Sequence, residues 1–136
     1  MFETFEHTAD LGLRVRAMSL ENLLEEAGRG LFSMMVTNLQ EIRGLQERTY
    51  RVDGTAVDYL LFDWLNELLY TFESEHLLLA DFKVELDSEG LQATARGESM
   101  NLDRHLMEHE VKAITYHGLR VEEHTDGWFA ELIVDI

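Results

Sequence analysis

The chain has 136 residues, with 11 Lys or Arg against 27 Asp or Glu, so its formal charge is −16. No apolar run approaches the roughly 18 residues of a membrane span, and the absence of Cys excludes disulfides, zinc–thiolate sites and thiol catalysis. A chain this acidic has few cations to neutralise phosphates, so no direct nucleic-acid binding is expected, whereas a basic protein partner or a divalent metal would suit it.

In chain order, a first strand leads to His7. Leu11, Leu13 and Val15 then alternate with Gly12, Arg14 and Arg16 and predict a second strand. Leu20, Leu23, Leu24, Ala27, Leu31, Met34 and Met35 line one helical face, with Ser19 as N-cap and Glu21, Glu25 and Glu26 near the positive end of the helix dipole. Arg48 to Asp53 reads as a short strand closed by Gly54. A second helix is predicted from about Ala56 to about Ser74, with Thr55 as cap and a buried stripe of Val57, Leu61, Trp64, Leu65, Leu68 and Phe72. Phe82, Val84 and Leu86 alternate with charged residues, and Ser88-Glu89-Gly90 turns the chain into Leu91, Ala93 and Ala95, a hairpin with a three-residue loop. Glu110 to Tyr116 reads as one strand. Leu119 to Glu123 and Trp128 to Ile136 flank Thr125-Asp126-Gly127 as another hairpin. The expectation is an α+β protein, two main helices on a mostly antiparallel sheet, forming a single domain over 1–136 with no linker. The N-terminal residues have no basic and apolar signal regions, so a cytoplasmic location is expected.

Few residues carry chemistry on their own. Asp10, after His7-Thr8-Ala9, could ligate a hard cation through oxygen or simply hold an Asx-type turn. Asp135-Ile136 places a side-chain carboxylate beside an α-carboxylate, which binds a divalent cation if a third acid joins them. The alternative is a frayed terminus, against which stand the apolar Leu132, Ile133, Val134 and Ile136. His105, His109 and His117 read as surface and hydrogen-bonding groups rather than a zinc site. Lys112 is a cation where cations are scarce; it either neutralises neighbouring acids or reaches a phosphate or a partner's acid. No nucleophile set and no phosphate-binding glycine pattern is present, Gly97-Glu98 included.

Taken together, His7-Thr8-Ala9-Asp10-Leu11-Gly12, the helix segment Asp63 to Tyr70, Gly97-Glu98, Arg104-His105, Glu110 to His117 and the strand Trp128 to Ile136 resemble the archease family over nearly the whole chain. The resemblance implies a small α+β protein that is not itself an enzyme. It would activate the GTP-dependent RtcB-type RNA ligase of tRNA splicing and RNA repair, promoting ligase guanylylation and multiple turnover and broadening its nucleotide use. It further implies a metal site at Asp10, Asp135 and Ile136, and roles in activation for Lys112 and for His7 of the first motif. Oxygen ligation would favour calcium, magnesium or manganese. Two rivals from other classes are a metal-dependent phosphoester hydrolase using Asp10, Asp135 and His7, and a chaperone-like binding module.

Overall fold

A computed structural model describes the chain except for Thr8, with His7 described by its backbone only. Seven strands and two long helices follow in the order β1 (Phe2–His7), β2 (Asp10–Ala17), α1 (Leu20–Met35), β3 (Gln46–Asp53), α2 (Val57–Glu75), β4 (Leu77–Asp87), β5 (Gly90–Ser99), β6 (Ala113–His124) and β7 (Gly127–Asp135). They form two antiparallel sheets, one in the order β1-β2-β7-β6 and the other β3-β5-β4. The α+β architecture read from the sequence is thus the one found. No described helix is long and apolar enough to cross a membrane.

Alternation decides the faces of both sheets. Leu11, Leu13 and Val15 stand opposite Val134, Leu132 and Ala130, and all six are buried. Val52, Phe82, Val84, Leu91, Ala93 and Ala95 supply the buried face of the second sheet. Helix α1 joins the two. Gly30 sits against the Leu13 side chain of one sheet, and Phe32 lies 6.2 Å from the Phe82 ring of the other. Helix α2 is fastened to α1 by Trp64, fully buried, whose indole N–H donates to the Leu24 carbonyl at 2.9 Å. Trp64 also meets Tyr50 and Phe82 edge-on, so one side chain links both helices to the second sheet.

The first helix has the predicted limits, and Ser19 Oγ accepts the Asn22 amide at 3.1 Å. Four details differ from the sequence reading. Ala56, not Thr55, occupies the N-cap of α2, and no side chain caps it. The β4–β5 hairpin has a two-residue loop, because Asp87 pairs with Gly90 and its Oδ1 accepts the Glu89 and Gly90 amides. Strand β4 begins at Leu77, since three successive buried leucines hide the period-two signal. Finally, Glu110 to Tyr116 is not a strand of its own. Val111 and Ile114 are both buried although three residues apart, so pairing starts only at Ala113 and continues to His124 across an irregularity between Thr115 and Arg120.

Gly97 is sterically required. A Cβ at Gly97 would come within 1.7 Å of the Leu78 carbonyl oxygen, beside the register shift between Leu79 and Asp81.

Candidate functional site

The outer face of the four-stranded sheet is built from the residues that alternate with the core. Its successive rows read Asp10, Asp135 and Ala113 across β2, β7 and β6, then, from β1 to β6, Phe5, Gly12, Ile133 and Thr115, then Glu3, Arg14, Glu131 and Arg120. The third row alternates in charge, and its ions pair: Arg14 Nε meets Glu131 at 2.7 Å, and Arg120 Nε lies 3.5 Å from the same carboxylate. In the second row Phe5 covers Gly12, where a Cβ would meet the ring at 2.0 Å, and Arg14 stacks on the ring 4.0 Å from its centre.

The first row is different. Asp10 and Asp135 are direct partners in the β2–β7 ladder, with like charges at the same level on adjacent strands. Cβ atoms of such pairs lie about 4.5–5.5 Å apart, and like charges there are unfavourable without a counter-ion. Next to them is a cleft of about 590 Å³ lined by Glu6, Ala9, Asp10, Leu11, Glu108, His109, Glu110, Lys112 and Ile136. Four acids and one lysine face this space, so its field favours a cation or a basic partner group. Among the described residues no three His, Asp or Glu side chains come together as a metal site. The Asp10–Asp135 pair brings two carboxylates to one level of the ladder. The register puts His7 opposite Asp10, but its side chain and Thr8 lie outside the described residues.

Lys112 reaches the cleft from the residue before β6. Its amide donates to the Asp135 carbonyl at 2.8 Å, which ties its backbone to the acid pair. Among the described residues its ammonium makes no ion pair, unlike Lys83, which lies 3.9 Å from Glu85. Asp10, Lys112 and Ile136 share one cleft, with Asp135 beside Asp10, so the residues picked out from the two ends of the sequence and from its middle meet.

The sequence reading missed a second polar centre. Glu98 is only 6% exposed, and Arg104 grips its carboxylate at 2.6 and 3.2 Å while the Arg43 amide donates to it at 2.6 Å. These charge-assisted bonds, led by Arg104, hold its carboxyl down at about 2. His105, expected at the surface, is buried. Its Nδ1 accepts the Asn101 amide at 2.9 Å, and its Nε2 faces Glu98 at 3.3 Å without the alignment of a good hydrogen bond. His109 is half-buried on the cleft and His117 is exposed on β6. The available signal was the pairing of Glu98 with Arg104-His105 a few positions on.

Glu98→Gln is expected to cost about 2–3 kcal/mol at neutral pH, because Arg104 loses its buried counter-charge. The carboxyl is depressed from 4.5 in the unfolded chain to about 2 in the folded one. Its contribution is therefore complete above about pH 4.5 and is lost as the pH falls towards 2. Urea unfolding at pH 7 and pH 3 should show the gap between wild type and variant shrinking at the lower pH.

Comparison with known proteins identifies the family and the fold. Residues 2–136 match the Archease protein family (MTH1598/TM1083). The chain is 40% identical to the protein archease of Methanopyrus kandleri over 139 residues, covering 99% of each. It is 38% identical to that of Pyrococcus furiosus over 140 residues, covering 99% of this chain and 98% of the other. The solution structure of Methanobacterium thermoautotrophicum protein 1598 superposes with a TM-score of 0.88 at 32% identity, over 99% of this chain and 98% of that one. A Thermotoga maritima crystal structure, described as an archease and possible chaperone, gives 0.67 at 25% identity over 100% and 98%. The chain belongs to the archease family.

Proposed function

We propose that this protein activates an RtcB-type RNA ligase, raising formation of the guanylylated ligase and allowing repeated turnover in tRNA splicing and RNA repair. The observation that carries the reading is the meeting of Asp10, Asp135, Lys112 and Ile136 at one corner of the fold. Asp10, Asp135 and the carboxylate of Ile136 would hold a divalent cation, calcium, magnesium or manganese, and the chemistry of the donors fits: all are oxygens, and the two side chains stand in register as like charges. When bound, such an ion would neutralise the acids and offer open positions to phosphate oxygens. The residues of this chain have simpler tasks. Lys112 would reach an acid or phosphate at the nucleotide site of the ligase, and the acids around it would engage basic groups there. The net charge of −16 supports docking on a basic protein surface rather than on RNA.

Incubating a cognate ligase with GTP, with and without the protein, tests this. Guanylylated ligase should accumulate faster with it, and an unchanged rate would overturn the reading.

A second reading, a module that holds client proteins, is favoured by the exposed Leu45, Leu102 and Leu106 and by the description of the Thermotoga relative. It expects suppressed aggregation of unrelated proteins and indifference to Lys112.

A further inference from the structure

The run from Met100 to Lys112 brings His109, Lys112 and their neighbours to the cleft, yet Met107 opposite Val36 is its one bridge of regular pairing among the described residues. The end of α1 anchors it. The Glu108 amide donates to the Met35 carbonyl at 2.9 Å, and the His109 amide to that of Met34 at 3.1 Å. These are carbonyls that a helix C-terminus leaves without a partner inside the helix. Just beyond, Asn38 uses both ends of its side-chain amide on the same run. Its Oδ1 accepts the Leu106 amide and its Nδ2 donates to the Arg104 carbonyl, each at 2.9 Å. It stands at the N-cap of the short 3-10 helix Leu39–Glu41 but makes no capping bond there, so its side chain serves the distant segment instead.

We infer that Asn38 is a positioning residue, which fixes the backbone of Arg104 to Leu106 and through it the placement of Lys112 at the cleft. The inference deepens the proposed function and rests on the activating role of Lys112. A carboxamide suits this task because it carries a donor and an acceptor side by side. Asp keeps the acceptor for Leu106 but turns an oxygen towards the Arg104 carbonyl; Ala keeps neither.

The test uses the full chain with Asn38→Ala and Asn38→Asp, read in two ways. Without any ligase, amide hydrogen exchange at Glu108 and His109 should rise about tenfold in Asn38→Ala and less in Asn38→Asp, with the β2–β7 amides unchanged. With the ligase, titration of Asn38→Ala should reach a plateau of guanylylation several-fold below wild type. A merely structural fault would reduce the folded fraction, so more protein would restore the full plateau. Unchanged exchange at Glu108 and His109 overturns the inference. So does a full plateau from Asn38→Ala when Lys112→Ala has lost activation. If Lys112→Ala itself activates fully, the proposed role of Lys112 fails, and the placement of the segment by Asn38 is then decided by the exchange result alone.

Discussion

Lys112→Ala is expected to slow guanylylation of the ligase by about thirtyfold or more, the effect of truncating a charge that becomes desolvated against a partner, roughly 2 kcal/mol or more. The fold should be unaffected, since Lys112 is exposed and lies outside the strand ladders. The chain offers its own control, because it has two lysines. Lys83 is exposed on β4, in the other sheet, beside Glu85. Lys83→Ala removes the same charge from the same acidic molecule. If net charge alone governed docking, both variants would lose activation equally. If the cleft docks on the ligase, the loss occurs only at Lys112, read as the initial rate of labelled guanylate transfer to the ligase.

Asp10→Asn and Asp135→Asn should each weaken divalent-ion binding by about two orders of magnitude, since each removes one charged oxygen donor from a small set, worth roughly 2–3 kcal/mol. The sign of the stability change identifies the site. In chelator the wild type carries two like charges at one level of the ladder, so Asp135→Asn, which removes that repulsion, should be as stable or more so. With ion added, the wild-type melting temperature should climb, by mass action on the folded state, and those of the variants should not. Calorimetry with calcium, magnesium and manganese, paired with melting curves, checks both halves. A version extended past Ile136, in which the carboxylate becomes an amide, should behave like the variants. Normal binding by that version would remove Ile136 from the donor set.

Much of this corner was legible in the sequence because it lies on strands. The period-two pattern of β2 fixes Leu11, Leu13 and Val15 inward, which turns Asp10 to the outer face with Gly12 and Arg14. The same rule on β7 turns Asp135 outward beside buried Val134. What alternation does not give is register. That Asp10 meets Asp135, rather than a residue two places off, follows from the pairing of whole strands more than a hundred residues apart in the chain. The run from Met100 to Lys112 was illegible for another reason. Its order comes from Asn38 and the last carbonyls of α1, both distant in the chain, and from Glu98 just before it, so its own residues carry no period. His105 shows the cost of reading such a run locally. It follows the charged Asp103 and Arg104, yet it is buried, because the Asn101 amide satisfies one nitrogen and Glu98 lies across from the other.

Counting RNA joints made per molecule of cognate RtcB-type ligase shows whether the Asp10–Asp135–Lys112 corner activates a ligase. The RNA ends would carry a 2′,3′-cyclic phosphate and a 5′-hydroxyl, with GTP and divalent ion present and the ligase limiting. The expected result is repeated turnover with the wild-type protein, and no more than the ligase achieves alone with Lys112→Ala or Asp135→Asn. Equal numbers of joints per ligase with and without the wild-type protein, or full turnover with both variants, would contradict it.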